Sequence, residues 1–193
     1  MIRTDTIQWG DREGPDWEIR RINKMCLRAD SEERLGVLLA LTRLKPANVF
    51  WPVFYHNWLH CDDTWYSRRE LLSSLKRHNA EEPGVGYLSD QAREFLDSLP
   101  DPVQVFRGCS SRRTRGVSWT TDQGVAESFA RGHRGVSVPA PVIAVGMVAR
   151  SAIYGVLVDR GESEVVLDPH RVDNFQSPSY SPVASFKVVP PRR

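Results

Sequence analysis

In the first hundred positions the apolar residues recur mostly at intervals of three and four. Further on they gather into short continuous or alternating runs. The first pattern predicts helices and the second predicts strands. Trp17, Ile19, Ile22, Met25, Cys26 and Leu27 predict a helix from Trp17 to Arg28. Ser31, followed by Glu32 and Glu33, reads as an N-cap with acids in the first turn, opening a helix through Leu35, Leu38, Leu39 and Leu41. Pro46 starts an aromatic-dense segment, Asp63 or Thr64 is expected to cap a helix through Leu75, and Glu81 to Gly86 reads as a loop. Ser89 is expected to cap a last helix, Asp90 to Leu99, stopped by Pro100.

Past Pro102 the predicted elements are mostly strands: Val103 to Phe106, Gly116 to Trp119, Pro141 to Val148, Ile153 to Val158, Val165 to Leu167 and, after a Pro/Ser-rich loop, Phe186 to Val189. Among them Thr121-Asp122 begins one helix, with Val125, Ala126, Phe129 and Ala130 on a face and Gly132 as its stop. Helices first and strands afterwards predict an α+β fold. The expected organisation is a helical region over 1–100 and a core over 101–193, together one compact unit.

Composition changes this picture little. The chain has 193 residues, 40% of them hydrophobic and 26% charged, and a net charge of +2. It has no apolar run long enough to span a membrane. The opening residues lack the apolar core of a signal peptide, and Cys26, Cys61 and Cys109 are an odd, irregularly spaced set. A cytoplasmic protein with reduced thiols, and no membrane association, is therefore expected. Residues 101–193 carry 12 Lys/Arg against 8 Asp/Glu, a mild bias that suits an anionic ligand.

Three pieces of the second half carry candidate chemistry. Val105-Phe106-Arg107-Gly108 puts an arginine at the end of a strand. Ser118-Trp119-Thr120-Thr121-Asp122 runs from a strand into a helix. Gly161-Glu162-Ser163-Glu164 puts two glutamates two apart at a strand entrance. A guanidinium can hold phosphate oxygens, a glycine admits close backbone approach, and a carboxylate can stabilise positive charge at a sugar carbon. On a strand, residues two apart face the same side, so the spacing of Glu162 and Glu164 puts both carboxylates in one cleft.

In this order and spacing, over roughly residues 103–170, the chain resembles the Arg–Ser–Glu class of ADP-ribosyltransferases, the group related to the cholera-type and binary-toxin enzymes. The resemblance implies a helical N-terminal region packed on a two-sheet, mainly antiparallel NAD-binding core. It implies transfer of ADP-ribose from NAD to an acceptor with release of nicotinamide. Glu164, Glu162 and Ser118 take the catalytic positions; Arg107, Gly108, Ser118, Trp119, Thr120 and Phe129 take the NAD-binding ones. Glu164 would stabilise the ribosyl cation and Glu162 would engage the nucleophile. The middle motif departs from the family's Ser-Thr-Ser, reading Ser118-Trp119-Thr120.

The Glu-x-Glu form points to a protein arginine as acceptor. A toxin or phage effector, with an antitoxin or immunity partner, fits such an enzyme. NAD is the co-substrate and no metal is implied. Two other readings stand beside this one: an NAD glycohydrolase, and a non-catalytic partner-binding module with a vestigial NAD cleft. Taken singly, each motif is as well explained by surface turns and strand edges. Phe129 also suits a core position. Arg112, Arg113 and Arg115 suit a solvated loop better than a nucleic-acid contact. His56 and His60, at i and i+4, lack the glutamate of a zinc-protease helix and read as packed or surface histidines.

Overall fold

The computed structural model describes residues 14–62, 64–132, 137–158, 163–178 and 180. Contacts divide the chain into two units. One runs to Ser98 and includes Ile153–Leu157; the other comprises Leu99–Ala152 and the residues from Val158 onward. The chain is α+β, with its long helices in the first unit.

The first unit holds α1 (Pro15–Cys26), α2 (Arg34–Thr42), α3 (Ala47–Trp58), α4 (Arg68–Glu81) and α5 (Asp90–Ser98). Its core is aromatic. Phe50, Trp51 and Phe54 are 0% exposed, and α3 sets their rings edge-on or stacked at 5.0–5.9 Å. Helix ends leave carbonyls without intrahelical donors. Arg34 satisfies one of them and two carbonyls just past helix ends, donating to Cys26 O at 3.1 Å, Ala29 O at 2.9 Å and His60 O at 2.7 Å. That single side chain fastens the ends of α1 and α3 together.

Several boundaries differ from expectation for local reasons. Ser31 does not cap α2: the Asp30 carboxylate accepts from Glu32 N and Glu33 N, so the acids lie in the preceding turn. The helix expected from Asp63 or Thr64 starts at Arg68, after a turn closed by Arg68 N to Trp65 O. Asp63 itself lies outside the described residues. The loop expected at Glu81 to Gly86 contains a 3-10 turn, Gly84–Tyr87. Ser89 does accept from Ala92 N at 3.3 Å, at the start of α5. The strand Ile153–Leu157, expected in the core region, is grouped with the helices.

In the second unit, β1 (Val103–Ser110) pairs antiparallel with β3 (Pro141–Val148) along its whole length and with β2 (Ser118–Thr120) at Phe106. The grouped strand Ile153–Leu157 is β4. β2 pairs with β5 (Glu164–Leu167) and β3 pairs with β6 (Asp173–Gln176), so the strands of this unit run β5-β2-β1-β3-β6. The two-sheet core implied by the resemblance is not what forms among the described residues. β1 uses both of its edges, so the ladder continues outward in each direction as one sheet. The strand expected at Phe186 to Val189 lies outside the described residues, and β6 had no clear sequence signal.

The helix α6 (Gln123–Arg131) covers part of one sheet face. Asp122 caps it, its carboxylate accepting from Gly124 N at 2.7 Å and Val125 N at 3.2 Å. Its close approach needs Gly108. A Cβ there would sit 2.6 Å from Ala130 N and collide with the Ala126 carbonyl.

Candidate functional site

The register sets the candidate residues in cross-strand rows. Opposed residues in an antiparallel pair lie on the same face. Glu164 lies opposite Thr120, Thr120 opposite Phe106, Phe106 opposite Val145, and Val145 opposite Gln176. Ser118 lies opposite Val166 in the neighbouring row of the same face. Ser118 and Glu164 thus share one face of two adjacent strands, and both are half-buried.

Arg107 is one residue out of phase with Phe106, so alternation starts its side chain toward the other face. Its guanidinium turns to the β2 backbone. Nη1 donates to Ser118 O at 2.6 Å and Nε donates to Arg113 O at 3.3 Å. It lies flat over Gly116, where a Cβ would stand 2.5 Å from its Cζ. Burial pulls the Arg107 pKa down, while Cys109 and the Glu164 carboxylate act to hold it up. An arginine stays protonated through such a shift. Burial in turn pushes the Cys109 thiol up, against the pull of Arg107. Arg107 therefore anchors the 3-10 turn Ser111–Arg113 and the start of β2 to β1, and it feels the charge of Glu164.

The remaining predicted residues fall into different settings. Trp119 is 2% exposed, its indole N–H donates to Gly116 O at 2.8 Å, and Phe175 meets it edge-on at 6.3 Å. The expected cofactor contact is thereby a core residue, since its ring and its single donor are both engaged. Thr120 is 6% exposed, and its hydroxyl accepts from Asp122 N at 3.1 Å. It supports the entrance to α6. Gly108 faces α6 along its missing Cβ, which gives the glycine a packing reason. Phe129 is half-buried on α6.

Glu162 lies outside the described residues. The regular strand begins at Glu164, and Ser163 has φ of 45°, in the left-handed region. The period-of-two argument joining the two glutamates therefore stops at Ser163. Ser163 keeps a structural tie, its carbonyl accepting from Thr121 N at 3.2 Å.

Two residues beside the site carry more than the sequence suggested. Arg115, read as part of a solvated loop, donates to Pro169 O at 2.7 Å, and its guanidinium lies 3.9 Å from the Phe175 ring centre. Phe106 was read only as a strand residue, yet it stands in the Glu164 row, half-buried. Strand pairing alone reveals that position. His56 and His60 are exposed, and no cluster of three or more metal-ligating side chains occurs among the described residues. No helix among the described residues is long and apolar enough to cross a membrane.

No protein-family model, curated protein or solved structure matches the chain.

Proposed function

We propose that the chain is a mono-ADP-ribosyltransferase that cleaves NAD and passes ADP-ribose to a macromolecular acceptor, with a protein arginine first among candidates. One observation carries the reading. Ser118 and Glu164 lie half-buried on one face of paired strands, next to a β1 arginine that holds the Ser118 carbonyl and feels the Glu164 charge. This juxtaposition gives the motif order in the sequence a common location.

The half-buried residues of this strand pair fit part of NAD. Glu164 is a partly shielded carboxylate, suited to opposing the positive charge that develops at the ribose as the bond to nicotinamide breaks. The bonding electrons leave with nicotinamide, and the acceptor nitrogen forms the new bond to the same carbon while it gives up a proton to a base or to water. Ser118 shares the Glu164 face, as an orienting hydroxyl would. Arg107 contributes positive charge and rigidity at this strand pair. Trp119 is excluded from ligand contact by its burial.

The test incubates the purified protein with labelled NAD and a cell lysate, beside Glu164→Gln, and follows labelled macromolecules and free nicotinamide. The expected result is a labelled protein band with nicotinamide release, both reduced at least about 100-fold in the variant. Nicotinamide without a labelled band would replace this reading with an NAD glycohydrolase. No NAD consumption by the folded protein would replace it with a binding module.

A further inference from the structure

The outward face of α1 is a strongly cationic surface that the proposed site does not use. Ile22 and Cys26 are the buried residues of this helix. At 100° per residue, Trp17, Arg20, Arg21 and Lys24 fall on the opposite side, with Met25 toward its edge and Arg28 in the turn just past the helix end. Arg20, Arg21, Lys24, Met25 and Arg28 are exposed, Trp17 is half-buried, and together they line a shallow depression of about 500 Å³. Of the acids of α1, Glu18 pairs with Lys45, and the exposed Asp16 stands at the edge of this face, four residues before Arg20.

A solvated helix face is ordinarily of mixed charge, with acid–base pairs at i and i+4. Among the described residues this face instead holds four cations, with the one carboxylate of Asp16 at its edge. The helix dipole accounts for Lys24 in the last turn, but not for Arg20 and Arg21 in the middle. Arg20 and Lys24 stand at i and i+4, about 6 Å apart along the axis, and Arg28 continues the series in the turn just past the helix end. Beside that row Arg21 lies 5.5 Å from the centre of the Trp17 ring. The arrangement combines a charged track with an aromatic–guanidinium platform.

We propose that the α1 face binds single-stranded nucleic acid, with Arg20, Lys24 and Arg28 following phosphates and the Trp17–Arg21 pair taking a base. A regularly charged polymer matches the regular row, and exposed bases stack on aromatic and guanidinium planes. An anionic bilayer is a poorer match. A helix lying on a membrane must insert an apolar face, and the apolar side of α1, at Ile22 and Cys26, is already buried. An acidic protein surface would satisfy the charges but gives the aromatic pair no role. This binding is independent of the proposed NAD chemistry.

The experiment titrates fluorescein-labelled 20-nucleotide RNA and DNA single strands with the full-length protein at several salt concentrations. It uses the parent protein and the combined Arg20→Gln, Lys24→Gln, Arg28→Gln variant, and glutamine preserves helix propensity. Expected for the parent is a log–log salt slope near roughly −3, from four cations at about 0.7 each. The variant should lose about tenfold or more in affinity at about 0.1 M salt, with a slope shallower by roughly 2. Trp17→Ala should weaken binding about fivefold or more without changing the slope. Unchanged binding by a variant whose circular dichroism matches the parent would overturn the proposal. So would an equal loss in Arg112→Gln, or equally tight binding of polyglutamate or phosphatidylserine vesicles. NAD consumption is measured on the same samples and should not change, so failure here and failure of the transferase reading are separately visible.

Discussion

The two units solve the problem of buried polar groups in different ways. In the helical unit the interior is built from large rings, and the fully buried imidazole of His78 is absorbed into that stack. Its ring lies 3.8 Å from Phe50 at an angle of 6°, Nδ1 is 2.7 Å from Ser74 O, and Nε2 is 3.2 Å from the Arg77 guanidinium. In the sheet unit the buried side chains are mainly small and β-branched, and polar side chains hold backbone groups of β2 and of the segments after β2 and β5. There Arg107, midway along β1, holds carbonyls, Asp168 holds His170 N, and Thr120 holds Asp122 N. Polar groups in the first unit complete a core. Those in the second fix the surroundings of strands β2 and β5, where the half-buried Ser118 and Glu164 are presented.

The largest expected effect breaks the aromatic side of this contrast. Phe50→Ala removes a ring that touches Trp51, Phe54 and His78. It should cost about 3–5 kcal/mol, read from the urea unfolding midpoint. A cost below about 1 kcal/mol would show that the ring stack is not the core of that unit.

Next comes the tight point of the sheet unit. Gly108→Ala sets a methyl against the backbone of α6, where neither neighbour is a movable side-chain tip. The expected loss is about 3 kcal/mol or more, beyond ordinary overpacking because backbone must shift. The parallel change Gly36→Ala, in α2 with open space around it, should instead stabilise by roughly 1 kcal/mol. Equal effects at the two glycines would refute the packing reason given for Gly108.

A smaller effect sharpens the role of His78. Burial pushes its pKa below the ordinary histidine value, so the unfolded chain takes up this proton more readily than the folded one. The sign follows: the stability contribution is complete above about pH 6.5 and is lost as pH falls from there through the lowered folded value. The slope of unfolding free energy between about pH 6.5 and 5 should shrink in His78→Gln. An unchanged slope would assign acid sensitivity to other groups.

The smallest expected effect probes the entry to β5. Ser163 adopts a left-handed conformation that glycine accepts without penalty. Ser163→Gly should be neutral or stabilising by up to about 1 kcal/mol, and a clear loss in thermal unfolding would give the Ser163 side chain an unassigned contact.

Much of the fold was legible along the chain. The helix α1, the capping by Ser89 and Asp122, the stop at Gly132 and the span of β3 all follow from rules acting within a few residues, although Met25 and Leu27, counted with the apolar residues of α1, are exposed. Other features misled where two local signals competed. Asp30 and Ser31 both suit a cap, and only the path of the turn selects Asp30. Trp119 lies in a motif suggestive of ligand contact, and Phe175, far along the chain, puts it in the core. Arg115 is exposed as expected, but its partners, Pro169 and Phe175, are more than fifty residues away and could not be read from its own loop.

By itself the sequence determined the α+β class, most element positions and the arginine, serine and glutamate to consider. Those depend on periodicity, caps and breakers, whose physics is local. Only the tertiary structure decided that the strands of the second unit run on as one sheet and that Glu164 stands abreast of Thr120 and Phe106. It also decided that Arg107 spends two hydrogen bonds on backbone carbonyls. Register and hydrogen-bond partner are properties of segments brought together across long stretches of chain, and a one-residue slip would have reversed every face.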